Sequence, residues 1–134
     1  MNGLKIYEHR GEGYRPVHDY NGWRVAVTNS GEHLGLTSVT ELSRHLETDE
    51  IFVLLSGSCT LYIGGTADSF SSIDTVHMEP LKIYNITRGT WHARSLTPHS
   101  SILIVENEDT SADNSESCPL TEEQIQIIQE YFES

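Results

Sequence analysis

From Trp23 to Thr28 the side chains alternate, with Trp23, Val25 and Val27 on one side and Arg24, Ala26 and Thr28 on the other. A period of two is the pattern of a half-buried strand, and Asn29-Ser30-Gly31 ends it as a turn. Leu34 to Leu42 reads as a further extended segment. Ile51 to Leu55 is a continuous apolar run, short enough for a core strand, and Ser56-Gly57 turns the chain. Cys59, Leu61 and Ile63 then alternate with Thr60 and Tyr62. After the Gly64-Gly65 loop, Ile73 to Glu79, Leu81 to Ile86, Ala93 to Ser95 and Ile102 to Val105 complete the extended segments. About eight to ten short strands separated by turn residues, with no internal repeat, predict an all-β sandwich or barrel.

The two ends differ from this middle. Residues 1–22 are polar, hold Gly11, Gly13 and Pro16, and read as a surface segment with a short strand near Leu4 to Tyr7. Glu106 to Ser117 is acidic, with no basic residue and hardly an apolar one, so residues 107–119 read as an exposed linker. Residues 120–134 carry the chain's one helical period. Thr121 and Gln124 fit a capping box, and Leu120 can pack on Ile125 as a hydrophobic staple. Ile125, Ile128 and Phe132 share one face, widened by Ile127 and Tyr131. That face must dock on its own barrel or on a partner subunit, and the pattern leaves both open. The expected organisation is therefore an N-terminal segment (1–22), a barrel (23–106), an acidic linker (107–119) and a C-terminal helix (120–134).

With 134 residues the chain is long enough to bury a core without covalent staples. Eight Lys and Arg against 20 Asp and Glu give a formal charge of -12. Such a surface repels phosphate backbones and anionic membranes, which argues against nucleic-acid or membrane partners. No stretch is apolar for the roughly 18 residues a membrane span needs. The start of the chain lacks the basic and apolar regions of a signal peptide, so a cytoplasmic protein is expected. Cys59 and Cys118 fit two reduced thiols.

The chemistry concentrates in two stretches. In the first, Glu41, Ser43 and His45 fall on one face of an extended segment, and Glu50 follows across a bend. In the second, His92 and Arg94 share a face just after Arg88-Gly89. If these strands pair in one barrel, His45, Glu50 and His92 converge inside it. Two imidazoles and a carboxylate can hold a divalent transition metal with positions left open for ligand.

The spacing of these residues resembles the cupin superfamily. That family's first motif, G-x5-H-x-H-x3-4-E-x6-G, is matched by His45, Glu50 and Gly57. Its second motif, P-G-D-x3-I-P-x-G-x2-H, is matched by Pro80, Ile86, Gly89 and His92. The resemblance covers about residues 23 to 106. It implies a single cupin jelly-roll β-barrel, a metal on His45, Glu50 and His92, and a homodimer. It also has departures. Ser43 stands where the family has its first motif histidine, and Leu81, Lys82 and Thr87 replace the usual Gly, Asp and Pro. Leu96 stands where some members carry Asn. Serine is a poor ligand for a transition metal, so at most three of the usual four ligands remain.

Two functions stay open on these residues. One is a small-molecule-binding barrel, either loaded with a divalent transition metal (Fe, Mn, Ni or Zn) or free of metal. The other is a metal-dependent enzyme of isomerase, lyase or dioxygenase type acting on a small organic acid or sugar derivative. A metal-free His–Glu pair would still offer an acid and a base near neutrality. Arg94 is the candidate for a substrate carboxylate, with an ion pair to Glu41 as the plain alternative. Ser43, Tyr84 and Trp91 are further ligand-binding candidates, the two aromatics as lining of the barrel mouth.

Overall fold

The computed structural model describes residues 2–133, with side chains as far as Glu130. The strands are β1 (Gly13–Tyr20), β2 (Trp23–Asn29), β3 (Glu41–His45), β4 (Glu50–Ser56) and β5 (Cys59–Gly65), then β6 (Asp74–His77), β7 (Tyr84–Ile86), β8 (Trp91–Leu96), β9 (Ser101–Asn107) and β10 (Ser115–Pro119). One helix, α1 (Glu122–Glu133), follows. The strands make two antiparallel five-stranded sheets, in the orders β1-β2-β9-β4-β7 and β10-β3-β8-β5-β6. The protein is all-β apart from α1, and the two sheets face each other as a jelly-roll barrel.

The period of two sets the layers. Ala26, Phe52, Leu54, Leu61, Leu96, Ile102 and Ile104 point inward and form one buried cluster between the sheets. A second cluster, with Val39, Leu42, Tyr62, Trp91, Leu120 and Ile128, lies on the other face of the second sheet. That answers where the helix docks: α1 covers its own barrel. Its cap forms as the sequence predicts, with Gln124 N–H donating to Thr121 Oγ1 (3.1 Å) and Thr121 N–H donating to Gln124 Oε1 (2.9 Å). The side chains of Tyr131 and Phe132, expected on the apolar face, lie outside the described residues. Coverage on both faces also explains why Cys59 to Tyr62 are all buried despite their alternating pattern.

The ends of the chain depart from expectation. Residues 4–10 form no strand; the first is β1, which pairs with β2 across the Asn21-Gly22 turn. Gly13 and Pro16 read as loop residues, but β1 is an edge strand, where a proline removes no bond that the sheet needs. The stretch read as an exposed linker holds a 3-10 turn at Ala112–Asn114 and then β10, which pairs along all of β3. The segment expected to be extended from Leu34 contains a 3-10 turn at Leu36–Ser38 before β3 begins. Among the described residues, no helix is long and apolar enough to cross a membrane.

Candidate metal centre and pocket

Two loops stitch the motif stretches together at one end of the barrel. Gly89, at φ +80°, donates its N–H to His45 O (2.7 Å), pinning the turn before β8 onto the end of β3. Asp49 accepts from Arg88 N–H (2.8 Å) and Asn85 Nδ2 (3.1 Å), fixing the same turn beside β4. At the other end, Gly57 (φ +71°) lets the β4–β5 turn press on Ser100, where a Cβ would meet Ser100 Cα at 2.7 Å. These clamps bring His45 on β3 and His92 on β8, neighbours in the second sheet, against Glu50 on β4 of the first, with Ser43 directly opposite His92 in the β3–β8 pairing.

The three side chains converge. One donor atom from each lies within 4.8 Å of the others. Glu50 is buried and sits between the imidazoles, with Oε1 3.0 Å from His92 Nε2 and Oε2 3.5 Å from His45 Nε2. His92 Nδ1 lies 2.9 Å from Thr90 O. A carbonyl only accepts, so Nδ1 carries the proton and the Nε2 lone pair of a neutral ring faces the Glu50 carboxylate. Two lone pairs at 3.0 Å need a cation between them, either a proton or a metal ion. His45 Nδ1 is held by Ser115 Oγ at 2.8 Å. Backbone and hydroxyl partners of this kind orient metal-binding imidazoles.

The electrostatics follow from burial and contact. Burial alone would raise the Glu50 carboxyl; hydrogen bonds with His45, His92 and Glu106 overcome it and hold Glu50 well below the usual carboxylate range. The hydrogen bond to Glu50 raises His45 against the opposing effect of burial. Glu106 is pushed up to about 7 by burial first and then by its hydrogen bond with Glu50. Tyr14 donates its hydroxyl to Glu106 Oε1 (2.5 Å), and burial with that bond pushes the phenol up to about 12.

A pocket of about 310 Å³ opens onto this cluster, and its walls include Tyr14, Arg24, Ser43, Arg94, Glu106 and Ser115. A larger cavity, about 880 Å³, lies outside the barrel between residues 2–7 and the outer face of the first sheet, and among the described residues holds no such cluster of donors.

The structure therefore gathers Ser43, His45, Glu50 and Arg94 around one pocket, with His92 buried behind Glu50, and leaves two aromatics elsewhere. Trp91 points to the opposite face of β8, where it is buried, donates Nε1–H to Ala67 O (2.9 Å) and carries Arg44 on its ring. Tyr84 packs at the β7 edge, with its hydroxyl accepting from Glu79 N–H (2.8 Å). Ser43 Oγ is engaged with Ser117 Oγ at 2.9 Å. No Arg94–Glu41 ion pair forms among the described residues.

Glu106, Tyr14 and Ser115 escape the sequence reading. Glu106 had a signal: it keeps step with the inward Ile102 and Ile104 of β9. The acidic run that follows hid it. Tyr14 and Ser115 lie on the two strands, β1 and β10, that the pattern does not reveal.

Comparison with solved structures agrees with this architecture. CapF, the capsular polysaccharide assembling protein of Staphylococcus aureus, shares 14% identity at a TM-score of 0.58 over 82% of this chain and 31% of its own. This chain thus spans about a third of CapF. A cupin-2 domain protein from Shewanella frigidimarina shares 19% identity at a TM-score of 0.51, over 75% and 85% of the two chains. A Streptomyces Pac13 variant with uridine shares 10% at a TM-score of 0.61, over 92% and 96%. No family model and no curated relative matches. The fold is that of the cupin superfamily, and these likenesses establish the fold alone.

Proposed function

We propose that this protein binds a small polar molecule in the interior pocket, beside a divalent transition metal held by His45, Glu50 and His92. The observation that carries the reading is the convergence of His45 and His92 Nε2 on the buried Glu50 carboxylate, one donor atom from each lying within 4.8 Å of the others. Imidazole with carboxylate suits Fe, Mn, Ni or Zn. Ser43 is turned to Ser117, so three protein ligands leave coordination positions free. When bound, the ion supplies Lewis acidity toward an oxygen of the ligand. The chain's own part is orientation: Thr90 fixes the tautomer of His92, Ser115 fixes the ring of His45, and Glu50 provides the charge.

A catalytic role is the second reading, and Glu106 favours it. Its carboxyl bridges Tyr14 and Glu50 beside the same pocket, an arrangement able to hand a proton to a ligand or take one from it. The Pac13 structure is described as that of a nucleoside dehydratase, which supports chemistry on a small molecule in such a barrel. A cytoplasmic homodimer completes the proposal. The outer face of the first sheet offers Val25, Val27, Leu103 and Val105 beside exposed Trp23 and Leu55.

Metal analysis of protein prepared without a histidine tag tests the reading. Stoichiometric metal that disappears in His92→Ala and His45→Ala supports it. Protein that is metal-free, and that gains no thermal stability from added Fe, Mn, Ni or Zn, sinks it. Light scattering of the same sample yielding only the 15.1 kDa species removes the dimer.

A further inference from the structure

Arg94 stands apart from every other charged group of the pocket. It projects inward from β8, two residues from His92, with its guanidinium over the Phe52 ring (5.6 Å to the centroid). Its Nε is sealed from solvent and meets no hydrogen-bond partner. No carboxylate lies within ion-pairing distance among the described residues. The pocket's carboxylates are already engaged, Glu50 with the two histidines and Glu106 with Tyr14. Arg24, the other arginine of the wall, is held by both oxygens of Asp19 at 2.7 and 3.1 Å. A guanidinium keeps its charge at any ordinary pH and presents its donors in a rigid planar fork. Placed half-buried with none of them used, it is a site whose partner comes from outside the chain.

We infer that Arg94 receives the carboxylate of a small organic acid whose other polar groups face the His45–Glu50–His92 cluster. A planar carboxylate matches the fork with two parallel bonds and a single negative charge. A phosphate would bring a second charge toward Glu50 and Glu106. A volume of about 310 Å³ is at the lower end for ligand sites, which suits a compact acid. This assignment names the ligand class for the pocket proposed above and rests on that reading for the ligand's location, though not on the metal.

Glycolate, acetamide and inorganic phosphate are the probes. In ¹⁵N-labelled protein the sealed Arg94 Nε–H gives a side-chain resonance, identified by its loss in Arg94→Gln. Glycolate is expected to shift that resonance saturably, acetamide to leave it in place, and phosphate to bind more weakly than glycolate. Arg94→Gln is expected to weaken glycolate binding by at least about tenfold, the loss of a charge-assisted bidentate contact, and to keep the metal content of the wild type. Acetamide binding as well as glycolate, phosphate binding better, unchanged glycolate affinity in Arg94→Gln, or no shift with any probe overturns the inference. Metal-free protein in which glycolate still shifts Arg94 defeats the metal reading and leaves this one standing.

Discussion

Two arginines, Arg44 and Arg94, sit on opposite faces of the second sheet and invite comparison. Each lies over an aromatic ring, Arg44 at 4.5 Å from the centre of Trp91 and Arg94 at 5.6 Å from that of Phe52. Each has an Nε buried without a partner. The difference is in the rest of the fork. Arg44 donates Nη1 to Ala67 O (3.2 Å) and Nη2 to Glu116 (3.1 Å), with Asp68 nearby. It ties β3 to β10 and to the loop before β6. Arg94 has a ring beneath it and no hydrogen bond. A cation that closes its contacts inside the protein is part of the architecture; one that does not is available to a ligand. The same division runs through β8, whose Trp91 builds the outer layer while His92 points inward to Glu50 and Arg94 lines the pocket.

Breaking the outer layer should have the largest effect. Trp91→Ala removes a buried indole, its bond to Ala67 and the surface that carries Arg44. A loss of about 3–5 kcal/mol is expected in urea unfolding. Arg44→Met in the same assay should lose about 1–2 kcal/mol, through the Glu116 and Ala67 bonds. Metal content should be unchanged in whatever fraction folds. A stable Trp91→Ala protein that fails to bind metal or glycolate would return Trp91 to the list of ligand contacts.

How much of this was legible in the sequence divides along the same line. The strands from β2 to β9 follow from the period of two, a property of the chain's local geometry, whereas the convergence of His45, Glu50 and His92 follows only if the strands pair in the barrel that their spacing resembles. Trp91 was misplaced because an aromatic beside a motif histidine reads equally well as lining or as packing. Only the docking of α1 on the outer face, a contact between residues far apart in sequence, decides it. β10 could not be read from Ser115 to Pro119, since its burial pattern is mostly exposed and its strand form comes from pairing with β3. Arg94 was legible as a candidate, but its lack of a partner is a property of the folded pocket.

The pocket, unlike the outer layer, should register pH near neutrality. In metal-free protein both His45 and Glu106 hold protons more tightly when folded. For His45 the added stability is full below about 6.5, its ordinary value, and is lost as pH rises through the raised folded value. For Glu106 the folded-state penalty is absent below about 4.5 and grows until pH passes about 7. Both terms make stability fall as pH rises through neutrality. Glu50 acts oppositely: its contribution is present above its ordinary range and is lost only in acid. The melting temperature with chelator present should therefore drop by a few degrees between pH 6 and 8, and Glu106→Gln should flatten the decline. A melting temperature that is level or rising over that interval would mean the cluster does not bind protons as its contacts require.

The smallest effect is the most telling because its sign is opposite to that of Arg44. An unpaired, half-buried guanidinium is unfavourable in the folded state, since it has given up water without gaining a counter-charge. Arg94→Met keeps an unbranched chain over Phe52 and removes the charge. It also relieves the repulsion that lowers the proton affinity of His45. Urea unfolding of the ligand-free protein should show Arg94→Met equal to wild type or more stable, by up to about 1 kcal/mol, with an unchanged slope against denaturant. Arg44→Met should move the other way. If Arg94→Met instead lost 1 kcal/mol or more, Arg94 would be a structural residue like Arg44, and its open fork would have to be satisfied within the protein in solution.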